Sequence, residues 1–381
     1  MQTLLRVLGR ALYLGLISLA ASCAATEGGE GPVTPESLAR AWEWIPDPPA
    51  PEPSSAAQVA LALRYLNGDG VERDTARGLE LLLEASAKGS AHAAFLIGRL
   101  YEEGVGVPQN PDEGLRWIEK AAFSSHPVAQ YRIGLAYYRG EGRPLNSVTG
   151  VRWFKRASVF GNADAQYNLG VAYHLGRGTK RDEAEAVHWL ELAALQHHVD
   201  AQYLVGDAYA DGWGVDADES WAALWYTRAA EQGLAQAQYK LALFYLGGTG
   251  LPKDRIEAYK WTRLAADADL KAARNLLQTL EKQMPAAEVA QARARAAAWR
   301  PSPPPPAPLD GGGTEDQASV RFAQYALGRL GYKPGLIDGV MGAQTRQALG
   351  RYQSDRGLAV DGQLSHELLR RLKDDRQALK R

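Results

Sequence analysis

Residues 163–178 read Ala-Asp-Ala-Gln-Tyr-Asn-Leu-Gly-Val-Ala-Tyr-His-Leu-Gly-Arg-Gly. Ala165, Leu169, Ala172 and Tyr173 fall at i, i+4, i+7 and i+8 spacing, which places them on one face of a helix. The Gly176-x-Gly178 that follows ends that helix, because glycine enters left-handed backbone conformations without steric cost. The same stretch returns every 36 residues, as the tryptophans Trp117, Trp153, Trp189, Trp225 and Trp261 show, with Leu81 one period earlier. Tyr65, Tyr101, Tyr137, Tyr173, Tyr209 and Tyr245 form a second column, and a Gly-x-Gly follows each of them. An Ala-Ala or Ala-Ser pair follows each tryptophan slot, as in Ala121-Ala122 and Ala157-Ser158.

Self-similarity at a fixed period of this length marks a repeat architecture. Each unit reads as two helices, the second opened by residues such as Pro111-Asp112 or Lys253-Asp254. Its inner face carries the Trp and the small pair, so neighbouring helices approach closely and the indole fills the remaining gap. Two short helices cannot bury such a face alone, so each unit must stack on the next. The columns resemble the Sel1-like repeat, a relative of the tetratricopeptide repeat, with its A-x-A-Q-Y-x-L-G-x-x-Y-x-x-G-x-G pattern. Ala163, Ala165, Gln166, Tyr167, Leu169, Gly170, Tyr173, Gly176 and Gly178 carry the match, and Val215, Trp225 and Ala229-Ala230 extend it. The resemblance covers 55–282 and implies an all-α fold: a right-handed α-solenoid of about six helix-pair repeats that binds other proteins.

The rest of the chain flanks that stack. Arg6 and Arg10 precede an uncharged apolar run, Ala11 to Ala21, which is the layout of a signal peptide over 1–22 and is short for a membrane span. Leu19-Ala20-Ala21-Ser22-Cys23 resembles a bacterial lipobox, with Ala20 where leucine is commoner. The resemblance implies that Cys23, the sole cysteine, is lipidated and ties the chain to a membrane, with Ala24 pointing to the outer one. Plain secretion with cleavage nearby is the rival reading. Residues 23–54 are rich in Pro, Gly and Glu and read as a spacer, interrupted by a short helix from Thr34 toward Trp42 and Trp44. After the repeats, an Ala-rich segment over 283–299, with Val289, Ala292, Ala296 and Trp299 on one stripe, reads as a closing cap. Pro301 to Pro308 and Gly311-Gly-Gly313 then make a linker over 300–316, stiff in its first part and flexible in its second.

Residues 317–375 read as a small three-helix domain. Val320, Ala323, Leu327 and Leu330 mark the first helix, Ala348, Leu349 and Tyr352 the second, and Leu364, Leu368, Leu369 and Leu372 the third. Leu330-Gly331-Tyr332, Gly335, Asp338-Gly339, Gly342, Thr345, Ala348-Leu349, Tyr352-Gln353, Gly357-Leu358 and Asp361-Gly362 together resemble the peptidoglycan-binding-1 domain. That resemblance implies attachment to the cell wall without catalysis. Most of the matched residues are turn glycines and core apolars, and Asp338 reads as a turn capper. The candidates for ligand contact are Tyr332, Arg346 and Gln353, a ring face, a cation suited to a stem-peptide carboxylate, and an amide.

The whole chain has a net charge of −1, yet 317–381 holds 12 Lys and Arg against 6 Asp and Glu, leaving 31 against 38 elsewhere. The basic end either meets an anionic partner or is a solvated surface. Nucleic acid is not the expected partner of an exported chain.

No catalytic residue, metal site or cofactor is expected. The single Cys excludes cysteine-dependent transpeptidase chemistry and Cys-x-x-Cys redox pairs. His188 and Glu191 have His-x-x-Glu spacing, but the repeat register places both on a solvated helix face. The organisation predicts a periplasmic lipoprotein that joins membrane to wall and presents the solenoid to unidentified proteins. The alternatives are an adaptor for a separate wall hydrolase or synthase and, with little chain left to build a cleft, a hydrolase itself.

Overall fold

The computed structural model describes residues 54–301 and 316–379, and these form 17 helices with no strand. Cys23, the short helix expected near Trp42 and most of the Pro/Gly linker lie outside the described residues. The repeats are six antiparallel pairs: α1 Ser55–Asn67 with α2 Thr75–Ala87, α3 Ala91–Glu103 with α4 Pro111–Phe123, α5 Pro127–Arg139 with α6 Ser147–Val159, α7 Ala163–Leu175 with α8 Glu183–Leu195, α9 Val199–Asp211 with α10 Glu219–Glu231, and α11 Ala235–Gly247 with α12 Arg255–Asp267. Helices α13 Lys271–Gln283 and α14 Ala286–Ala298 follow. Helices α15 Gln317–Arg329, α16 Ala343–Asp355 and α17 His366–Ala378 make the C-terminal domain.

Each column of the period has a mechanical task. The first glycine after each odd-numbered repeat helix caps it in the left-handed conformation, as at Gly176 with φ 67°. The second glycine lies against the preceding repeat: a Cβ on Gly214 would sit 2.2 Å from the Glu183 carbonyl oxygen. Asp or Asn then caps the second helix, as Asp182 accepts from the Glu185 amide at 3.1 Å. The glutamine column clasps neighbouring units, since the Gln166, Gln202 and Gln238 amides each donate to a carbonyl of the previous second helix at 3.2 Å. The leucine-glycine step lets the two helices of a unit cross closely; a Cβ on Gly98 would meet the Gly114 carbonyl oxygen at 2.8 Å.

The turn between units takes positive φ whatever residue stands there. Gly89, Gly161 and Gly233 share the position with Ser125, His197 and Asp269, whose φ values are 67°, 66° and 67°. At the end of the stack, α14 buries Val289, Ala292 and Ala296, and Trp299 stands edge-on to Trp261 with ring centroids 6.0 Å apart. The last tryptophan of the ladder is thereby covered.

The flexible tether expected before the C-terminal domain does not leave that domain free. α15 and α17 pack on the repeats, and one continuous apolar core joins Trp221, Trp225 and Tyr245 to Phe322, Leu327, Leu369 and Leu372.

Candidate functional site

The seat of the C-terminal domain is built on α10. In the column four residues before the ladder tryptophan, the other units carry Arg77, Glu113, Thr149, Glu185 and Glu257; the fifth carries Trp221. That indole is fully buried and meets Phe322 of α15 edge-on at 4.9 Å. His366 at the start of α17 faces both Trp221 and Trp225, with centroids 5.8 and 6.1 Å away.

Charge surrounds this aromatic centre, and its signs are complementary. Arg376, 3% exposed, pairs with Asp218, 1% exposed, whose Oδ1 also caps α10 by accepting from the Ser220 and Trp221 amides at 3.0 Å. Gln377 adds a 3.0 Å bond to the same carboxylate. Arg370 pairs with Glu191, which also accepts from the Tyr209 hydroxyl at 2.8 Å. Lys373 lies over the Tyr209 ring at 4.9 Å, and Arg321 donates to the Tyr245 hydroxyl at 3.0 Å. One pair runs the other way: Arg228 of the repeats bonds Asp316 at 3.0 Å and Ser319 Oγ at 2.7 Å, at the N-cap of α15.

Two expectations change here. Part of the basic C-terminal end, Arg370 and Arg376, meets the acidic edge of this chain's own repeats. Glu191 is buried rather than solvated, because Arg370 and Tyr209 close over it; His188 remains exposed.

The electrostatics of the seam follow from its burial. Burial, with Arg228, Arg370 and Lys373 nearby, drives His366 down to about 3. Burial and the neighbouring Asp316 push Glu231 up to about 7. Burial opposes ionisation of Asp316 as well, but Arg228 beside it holds that carboxyl below the usual range. Trp221 Nε1, Trp225 Nε1, His366 Nδ1 and Arg376 Nε are buried without a hydrogen-bond partner. Each such atom costs about 1–3 kcal/mol, so the seam combines strong pairs with real desolvation penalties.

Within the C-terminal domain, two glutamines lock the two Asp-Gly turns. The Gln324 amide nitrogen donates to Asp338 and Thr345 while its oxygen accepts from the Gly339 amide at 2.9 Å. Gln353 repeats the device, donating to Asp361 at 2.7 Å and accepting from Gly362 at 3.0 Å. Gln353 is therefore buried with both ends of its amide engaged, which leaves it a structural part to play. Asp338 also accepts from the Val340 amide, as a turn capper does. Tyr332 bonds Asp355 at 2.8 Å and stands edge-on to Tyr352, while Arg346 is exposed on α16. Tyr332 and Gln353 are thus engaged by different carboxylates, Asp355 and Asp361. Leu336, Val340 and Val360 are exposed apolar side chains beside the same two turns, and Leu379 is exposed at the end of the domain.

Among the described residues, no three His, Cys, Asp or Glu side chains group to hold a metal ion, and no helix is long and apolar enough to cross a membrane.

The Sel1 repeat family model matches residues 55–90, 91–122, 127–158, 163–198, 199–234 and 235–270. A peptidoglycan binding domain model matches 316–372. Among solved structures, a Sel1 repeat protein from Oxalobacter formigenes is 33% identical, with 64% of this chain and 68% of that one covered and a TM-score of 0.50. The protein c5321, a protective antigen present in uropathogenic Escherichia coli strains, is 21% identical over 85% of this chain and 80% of its own, with a TM-score of 0.48. No curated protein matches.

Proposed function

We propose that this chain, which belongs to the Sel1 repeat family, is a non-catalytic scaffold of the cell envelope. Its C-terminal domain holds peptidoglycan, its repeats hold other proteins, and a lipid on Cys23 ties it to the outer membrane. The observation that carries the reading is the peptidoglycan-binding match across 316–372, most of that small domain, fused to repeats that account for most of the remaining chain.

The docked domain supports a rigid version of the scaffold. Wall and protein partner are held at a set distance by packed helices rather than brought together by a floppy joint. Binding of one then places the other at high effective concentration without the entropy cost of a long linker. Within the domain, exposed Arg346 and the ring of Tyr332 are the groups assigned to the wall ligand.

Sedimentation with purified sacculi tests the reading. The full chain pellets with them, a chain ending at Pro308 does not, and Arg346→Glu weakens pelleting while the helical signal is kept. Sacculi that leave the full chain in solution would overturn it. For the anchor, Cys23→Ala material should leave the membrane fraction once the wall has been digested; retention there would remove the lipid from the account.

A further inference from the structure

In the fifth repeat, Arg228 lies 4.7 Å over the Trp225 ring. Held there, it captures Asp316, the carboxylate that caps the first helix of the docked domain. The stacked guanidinium is pre-organised by the indole and meets the partly positive start of a helix through the anion that sits on it. The second and third repeats carry the same pair in the same register. Lys120 is 4.5 Å over Trp117, and Arg156 is 4.7 Å over Trp153. Both cations are exposed, and neither makes an ion pair among the described residues.

The surroundings of these pairs also differ from the covered half. Six residues after the ladder tryptophan, the units beneath or beyond the docked domain carry Glu231 and Asp267. In the same column the second and third units carry Phe123 and Val159, 68% and 76% exposed. Phe123 reaches across the unit boundary to stand edge-on to Trp153 at 5.2 Å. A cation on an indole, flanked by exposed apolar side chains and repeated at the unit spacing, continues the established seat along the stack with its acids replaced.

We propose that Trp117/Lys120 and Trp153/Arg156, with Phe123 and Val159, are the docking site for a partner protein that presents an acidic first turn of an amphipathic helix. This deepens the scaffold reading and rests on it. The partner is a protein helix because that is what the equivalent cation–indole pair holds in the fifth repeat. It is not a second copy of this chain's α15, because Asp316 is already engaged by its own Arg228.

The test uses the full chain carrying a photo-cross-linking residue at Val159, irradiated in the cells that produce it. The captured protein is identified, purified and titrated against the unmodified chain. The cross-linked segment should begin a helix with Asp or Glu. The double variant Lys120→Glu/Arg156→Glu should bind about tenfold or more weakly, and reversing the partner's acids to Lys should restore its binding. Lys120→Arg/Arg156→Lys should stay within about threefold, since cation–ring stacking survives that exchange. Absence of any cross-linked protein, a captured segment without an acidic helix start, or indifference to charge reversal overturns the proposal. So does cross-linking to lipid alone, with phosphatidylglycerol vesicles binding the native chain and not the reversed one. Sacculus sedimentation of the reversed variant is expected to be unchanged; its loss in the native chain would strike the wall reading and leave this one standing.

Discussion

Asp218→Asn removes the charge at the centre of the docked interface, together with the Oδ2 that accepts from Gln377. Asn caps a helix about as well as Asp, and its Oδ1 still accepts from the Ser220 and Trp221 amides, so α10 itself should be little affected. Arg376, 3% exposed, is left as a buried cation without its carboxylate. Removing one partner of a buried pair costs about 3–5 kcal/mol, which is about two to three and a half decades in the equilibrium between docked and undocked domain. Native-state hydrogen exchange reads this directly. Amides of α15 and α17 should exchange faster by about that factor, while those of α5 and α7, far along the stack, should keep their protection. Adding Arg376→Met should recover most of the loss, because an apolar side chain of similar length no longer needs a counter-charge. If the single variant leaves α15 and α17 within about tenfold of native exchange, the seam is held by its apolar core and the assignment of energy to this pair is wrong.

Acid should act on the same seam through two groups of opposite sign. His366, neutral in the fold at about 3 against an ordinary 6.5, contributes stability that is full above pH 6.5 and is lost as pH falls toward 3. Glu231, raised to about 7 from 4.5, contributes stability that is full below pH 4.5 and is lost as pH rises through 7. Each slope is about 1.4 kcal/mol per pH unit, so denaturant midpoints of the native chain should vary little between pH 4.5 and 6.5. Glu231→Gln should expose the histidine slope, with stability falling on acidification; a flat profile in that variant would refute the assignment. Ser125→Gly relieves a side chain held at φ 67° on an exposed turn and should raise stability by about 0.5–1 kcal/mol in urea titration. Gly214→Ala, whose Cβ would lie 2.2 Å from the Glu183 carbonyl oxygen at φ 72°, should cost about 2–4 kcal/mol or prevent folding.

What the sequence determined by itself is the repeat. Every task in the 36-residue period, capping Asp, clasping Gln, crossing Gly, is performed within a unit or against the next one, so the chemistry recurs at fixed offsets and is readable as columns. The small domain was legible for a related reason: its Asp-Gly turns are local. The role of Gln353 was harder to see, because a glutamine on a helix looks available until the turn it locks is folded against it. Trp221 did leave a trace, an indole in a column otherwise polar, but the column does not say what covers it.

Only the tertiary structure decided that the C-terminal domain is seated on the repeats. Arg376 and Asp218 are 158 residues apart, and Arg370 and Glu191 are 179 apart. Such pairs share no period and no local geometry. Charge counting showed a basic end and a more acidic remainder, without saying that the one would close on the other. Whether a proline- and glycine-rich linker permits that closure, and whether desolvating those charges is offset by the Trp221–Phe322 core, depends on surfaces that exist only once both parts have folded.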